Sequence, residues 1–179
     1  MIAHRQSSHR YSLRVYYEDT DAGGVVYHAN YLRYAERART EALRDAGIAH
    51  AALVERFGLM FMVHRAEIDY LRPALVDDVL VVDTETMDVG GATVLLRQTI
   101  LGPNGVCAAL RIRLACVRIG GNKPARIPAE WRATMAVMNR DSGPAARVAR
   151  PGARKSGPAI GAVTGAGICP VPRIDSAGP

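Results

Sequence analysis

Asn30-Tyr31-Leu32-Arg33-Tyr34-Ala35-Glu36-Arg37-Ala38-Arg39-Thr40-Glu41-Ala42-Leu43-Arg44-Asp45-Ala46-Gly47 reads as one long helix. Asn30 has the side chain of an N-cap, and Gly47 suits the left-handed residue just past a helix end. At about 100° per residue, Ala35, Ala38, Ala42 and Ala46 cluster around Tyr31, with Leu32, Tyr34 and Leu43 on the flanks. Arg33, Arg37, Thr40 and Arg44 fall on the opposite, wet face. A stripe made mostly of alanine predicts close approach to whatever packs against it. Arg39 falls inside that stripe and Glu36 at its edge. A buried arginine needs a partner, and Glu36 is three residues away on the same surface.

Extended segments lie on either side of this helix. Tyr11, Leu13, Val15 and Tyr17 alternate with polar Ser12 and Arg14, which signals a strand. Beyond the helix, Ile48 to Phe57 reads as a short second helix. Leu59–Arg72 is a long extended run ended by Pro73. Val79–Val89, Ala92–Leu101 and Val106–Ile119 follow, separated by Gly90-Gly91 and by Gly102-Pro103-Asn104-Gly105. Such turn signals between long strands predict an antiparallel meander. Strand, long helix, then four strands is an α+β order, with one helix packed on a single antiparallel sheet of about five strands. The domain is expected over residues 11–138.

Residues 139–179 hold seven Gly and six Pro and no aromatic residue. They have too little apolar surface to offset the entropy of ordering, so a disordered basic tail is expected there. The tail carries six basic and two acidic residues, the preceding chain 17 and 15. Most of the net charge of +6 therefore sits outside the body. A nucleic-acid face is not expected. With 179 residues, 49% hydrophobic and 22% charged, the chain is neither wholly disordered nor fibrous. Its longest apolar runs fall far short of the ~18 residues that suggest a membrane span. The first ten residues are polar with no apolar run behind them, so no signal peptide is expected. Cys107 and Cys116 stand on one predicted strand, about 30 Å apart at the usual rise, too far for a disulfide. With Cys169 they match no zinc spacing, and a reducing, cytoplasmic setting is the economical expectation.

Chemistry concentrates in Tyr17-Glu18-Asp19-Thr20-Asp21-Ala22-Gly23-Gly24-Val25-Val26-Tyr27-His28-Ala29-Asn30, which joins the first strand to the helix. Three carboxylates fall within four residues. The glycine pair allows backbone conformations closed to other residues and close approach by a ligand. Free N–H groups at the helix start suit a developing oxyanion. The residues alone leave other readings open. Asp19 or Asp21 could cap a turn, and His28 could be an ordinary helix-start residue. A calcium loop is disfavoured, because the ligand spacing of an EF-hand is absent.

The run Tyr16–Tyr31 resembles the signature of the YbgC-type acyl-CoA thioesterases, related to the 4-hydroxybenzoyl-CoA thioesterases. Glu36-Arg37-Ala38-Arg39-Thr40-Glu41 looks like its continuation, and Tyr70-Leu71-Arg72-Pro73-Ala74 with Asp77-Asp78 resembles a later segment. The resemblance covers roughly residues 14–128. It implies a hotdog fold, in which a long helix is wrapped by an antiparallel sheet. It also implies hydrolysis of acyl-CoA thioesters to free acid and CoA, without cofactor or metal. Asp21 matches the catalytic aspartate, and His28 the residue whose backbone N–H polarises the thioester carbonyl. Gly24 and Tyr27 are candidate substrate-binding residues. For Glu36 and Arg39 two roles stand open: orienting Asp21 or contacting CoA, and forming an ion pair that fixes packing; the latter is favoured. The family forms its sites between subunits, which implies a homodimer or homotetramer. Two rivals share the scaffold: a non-catalytic protein holding acyl-CoA or acyl carrier protein, and a dehydratase of 3-hydroxyacyl thioesters. Retention of Asp21 argues against the first, and the aspartate-bearing loop against the second. Two features depart from the pattern: the Gly/Pro-rich tail, and the turn Ala74–Asp78, which has no glycine.

Overall fold

The computed structural model describes residues 8–48, 50–121 and 123–137. The tail expected over 139–179 lies outside them. Strand β1 (His9–Arg14) leads through a 3-10 turn (Tyr17–Asp19) into helix α1 (His28–Asp45). Helix α2 (His50–Phe57), strands β2 (Leu59–Tyr70), β3 (Val79–Val89), β4 (Thr93–Gly102) and β5 (Gly105–Arg118), and helix α3 (Ala129–Val137) complete the chain. The five strands form one antiparallel sheet in the order β1-β3-β4-β5-β2. This is the hotdog arrangement expected from the sequence.

The alanine stripe does what its periodicity predicts. Tyr31, Tyr34, Ala35, Ala38 and Ala42 are buried, and α1 lies on β1, β3 and β4. Small side chains let the helix sit low enough for Gln98 on β4 to donate to the Ala35 carbonyl at 2.9 Å. The inner sheet face contributes Leu80, Val82, Val94, Leu96, Ile100, Leu110, Ile112 and Leu114. Their strict alternation along β3, β4 and β5 explains the alternating burial. Cys107 and Cys116 both stand on β5 and both are free thiols, as the strand geometry requires.

The exit of α1 is as expected. Gly47 adopts φ +77, its N–H bonds the Arg44 carbonyl, and the Ile48 N–H bonds the Leu43 carbonyl. That pairing closes the last orphan carbonyls and buries Ile48 behind the turn. The entry differs. α1 begins at His28 with Tyr27 as the preceding residue, so Asn30 is not the cap. Asn30 lies inside the first turn, where its side-chain amide donates to the Asp19 carbonyl at 2.8 Å. The same residue therefore ties the loop to the helix instead of starting it.

Two further points differ from the sequence reading. Helix α3 was not expected: Trp131 and Met135, four residues apart, dock on the core, and the Trp131 ring meets Phe57 of α2 edge-on at 5.5 Å. The Ala74–Asp78 turn manages without glycine because Asp77 itself takes φ 68. Short polar side chains bear this conformation best. The turn is held by Asp78 Oδ2, which accepts the Leu75 N–H at 2.9 Å, and by Arg14, which donates to the Asp77 carbonyl.

Candidate active site

The loop between β1 and α1 is built as a small hairpin of its own. The Asp21 N–H bonds the Val25 carbonyl, the Gly24 N–H bonds the Asp21 carbonyl, and Thr20 bridges Val26. Gly24 sits at φ +74, which lets the chain reverse within this turn. The hairpin is pinned to the 74–75 segment, since Val25 bridges Leu75 and the Val26 N–H bonds the Ala74 carbonyl at 2.9 Å. Asp19 organises the loop. Its carboxylate accepts the Tyr16 N–H, and its carbonyl accepts both the Tyr27 N–H and the Asn30 amide.

Within this frame the Asp21 carboxylate is anchored by one oxygen: Oδ1 accepts the Gly23 N–H at 2.8 Å. No bond within the described residues engages Oδ2. His28 opens α1, and its N–H has no partner among the described residues. The next bond in the turn runs from the Asn30 N–H to the Tyr27 carbonyl. An unpaired N–H at the positive end of an 18-residue helix is a donor suited to a developing oxyanion. Asp21 and His28 wall one cleft of about 350 Å³, together with Val25, Val26, Tyr31, Tyr70, Leu71, Arg72 and Pro73.

Aromatic rings fix the rest of the wall. Tyr70, at the end of β2, donates its hydroxyl to the His28 carbonyl at 3.1 Å and meets Tyr31 edge-on at 5.6 Å. The Tyr31 hydroxyl accepts the Ala74 N–H, and burial pushes its phenol above the ordinary value. Deeper on α1, burial and the nearby Asp19 carboxylate push the Tyr34 phenol up as well. In the sequence Tyr70, Arg72 and Pro73 belong only to the resemblance and carry no site role. Nothing local could have placed them, because more than forty residues separate them from Asp21.

The other sequence candidates distribute unevenly. Gly24 shapes the turn behind Asp21. Tyr27 stands beside the cleft, half exposed, with its ring 4.3 Å from that of His28. Glu36 and Arg39 are not among the cleft-lining residues. Arg39 lies eleven residues beyond His28, about 16 Å along the helix. It is 6% exposed, donates to Gln98 Oε1 at 2.8 Å and pairs with Glu36. Burial pulls its guanidinium below the ordinary arginine value, against the opposing pull of Glu36. Its side chain borders a small apolar cavity between α1 and the sheet, walled also by Leu96, Leu114 and Met135. Among the described residues no group of three His, Cys, Asp or Glu side chains is placed to hold a metal ion. His64, at the register shift of β2, and Arg65, paired with Glu67 at 2.6 Å, are both exposed and neither walls the cleft.

A one-sheet fold with a long helix whose first turn meets an aspartate-bearing hairpin defines a hotdog enzyme scaffold. Residues 15–135 match the model of the thioesterase-like superfamily, and the chain belongs to that family. It is 46% identical over 123 residues to the acyl-CoA thioesterase YbgC of Haemophilus influenzae, covering 69% of this chain and 90% of that protein. A probable thioesterase from Bartonella henselae superposes with a TM-score of 0.64 at 36% identity, over 68% of this chain and 99% of the other. A Thermus thermophilus thioesterase complexed with coenzyme A and zinc gives 0.63 at 27% identity, over 74% and 95%.

Proposed function

We propose that this protein hydrolyses acyl-CoA thioesters to the free acid and CoA, with Asp21 and the His28 N–H as its working groups. The observation that carries this reading is the pairing, in one cleft, of a carboxylate with a free oxygen and an unpaired helix-start N–H. The thioester carbonyl oxygen accepts from the His28 N–H, so charge that develops on it meets the positive end of α1. Asp21 Oδ2 then serves the carbonyl carbon. It either attacks directly, giving a mixed anhydride that water later opens, or takes a proton from an attacking water. Both routes expel the CoA thiolate and end in the same acid. The Gly23 N–H on Oδ1 aims the carboxylate in either case. Membership in the thioesterase-like superfamily and the names of the relatives support this reading.

The working form is a homodimer or a larger homo-oligomer. Two features support this. Asp21 and His28 are both exposed in the single chain, whereas stabilisation of a developing oxyanion gains from a site shielded from bulk solvent. Among the described residues strand β2 pairs with β5 alone, and its other edge runs beside exposed Met62, Val63, Tyr70 and Leu71. A twelve-residue edge with apolar side chains invites pairing with another strand. Acyl carrier protein is a second acyl donor that the same cleft could serve, and the cytoplasm is the expected compartment. Among the described residues no helix is long and apolar enough to cross a membrane.

The direct test is Asp21→Asn, scored by thiol release from a panel of acyl-CoA thioesters. The substitution keeps shape and the Gly23 contact but removes the charge. A loss of at least about 10²-fold in kcat with an unchanged fold is expected. Activity within a few-fold of wild type would take Asp21 out of the chemistry.

A further inference from the structure

We infer that Arg72 receives an oxyanion of the thioester substrate, a role that rests on the hydrolase reading above. Arg72 stands two residues past the end of β2, and its backbone N–H is fixed on the Cys107 carbonyl at 3.2 Å. Pro73 follows and restricts the backbone at this point. The side chain is exposed and walls the cleft that holds Asp21 and His28. Its guanidinium lies against the start of β5, where a Cβ added to Gly105 would stand 3.5 Å from Nη1. Gly105 itself stands at φ +108, a conformation that favours glycine, and the arginine arm lies beside this turn in ordinary van der Waals range.

Unpaired surface arginines are ordinary. What sets Arg72 apart is where its charge stands. Among the described cleft-lining residues it is the one permanent cation, and none of the ion pairs in the described structure includes it. The acidic group among the described lining residues is Asp21, whose Oδ1 accepts the Gly23 N–H and which forms no ion pair with Arg72. A fork of five donors with no side-chain partner among the described residues is suited to a phosphate or carboxylate, which it can hold through two parallel bonds. The substrate offers such groups at two places. One is the phosphates beyond the pantetheine arm; the other is a free carboxylate on the acyl chain, where there is one. Either would be drawn to the same guanidinium, and the positive charge would steer an anionic substrate into an otherwise neutral or acidic cleft.

The test compares wild type with Arg72→Gln and Arg72→Lys on three substrates. These are the neutral acyl-CoA that wild type cleaves best, the same acyl group on phosphate-free pantetheine, and succinyl-CoA. Calorimetric titration of coenzyme A into each protein gives a readout that needs no turnover. Arg72→Gln is expected to raise KM about ten-fold with kcat little changed, and Arg72→Lys less, because a charge remains but the fork is lost. Loss on both CoA thioesters, weaker coenzyme A binding and no loss on the pantetheine thioester assign the phosphates. Loss confined to succinyl-CoA assigns an acyl carboxylate. Equal loss on all three substrates, or none on any, overturns the inference. A wild type that cleaves no thioester yet binds coenzyme A through Arg72 would sink the hydrolase reading and leave this one standing. If it binds coenzyme A no better than Arg72→Gln does, both fall.

Discussion

Asp19 and Asp21 stand two residues apart in one loop, yet the structure gives them opposite work. The Asp19 carboxylate is spent on the Tyr16 N–H at 2.9 Å, and its carbonyl on Tyr27 and Asn30. It is a hub of the loop, facing inward toward Tyr34. Asp21 is solvent-facing and keeps an oxygen free. Asp19→Asn therefore acts through stability. One carboxylate oxygen becomes an NH₂ that cannot accept, and the charge-assisted bond to Tyr16 is weakened. A loss of about 1 kcal/mol is expected, read as a shifted denaturant midpoint at constant slope. Its effect on kcat should be far smaller than that of Asp21→Asn. A kcat loss as large as that of Asp21→Asn would mean that the two carboxylates act as a catalytic pair.

At the scale of elements, α1 does two jobs at its two ends. Its first turn presents the His28 N–H to the cleft. Its middle carries Arg39 into the layer between helix and sheet, where Gln98 bonds Arg39, the Ala35 carbonyl and Thr84 at once. Gln98 is fully buried, so each of its bonds is costly to lose. Arg39→Met fills similar volume but leaves Gln98 Oε1 without its donor. It should destabilise the fold by about 2 kcal/mol, the cost of an unsatisfied buried acceptor. Glu36→Gln should cost well under 1 kcal/mol, because the Glu36 side chain is 57% exposed and water screens the pair. Thermal or denaturant unfolding of the two variants checks the order. A larger effect from Glu36 would make the ion pair, rather than the Gln98 network, the reason for a buried arginine.

At the scale of the whole molecule, helix cover and sheet width do not match. α1 lies on β1, β3 and β4 and the short helix α2 meets β2, which among the described residues stays largely exposed with one edge unpaired. Exposed Val63 and Met62 on that strand, and Leu71 just beyond it, extend the uncovered surface to the cleft. A second copy paired along β2 would cover this surface and close the cleft together. Assembly and activity should then fail together on dilution, because association follows mass action. Sedimentation and thiol release measured over one dilution series check this. Val63→Asp should move both curves to higher protein concentration by the same factor. A monomer with full turnover would mean that the cleft of one chain is sufficient.

Features that depend on near neighbours along the chain are legible from the residues alone. The stripe of Ala35, Ala38 and Ala42, the Gly47 exit, the β3-β4-β5 meander and the Asp21 turn are all set by contacts between residues close in sequence. Each reads directly from periodicity and turn chemistry. The Asn30 cap failed for the same reason that α1 starts early: the Asn30 amide is claimed by Asp19, which an isolated helix would not contain. Helix α3 had a faint signal, Pro128 followed by Trp131 and Met135 four apart, but too short a run to stand without the core it docks on. That β1 and β2 take the two edges of the sheet emerges in the folded chain, because those pairings join distant segments and no local preference selects them. It is likewise in the folded chain that Tyr70, Arg72 and Pro73 face Asp21. The pairing of β2 with β5 and the bridge from Val25 to Leu75 bring them there, closing loops of some fifty residues that no local pattern encodes.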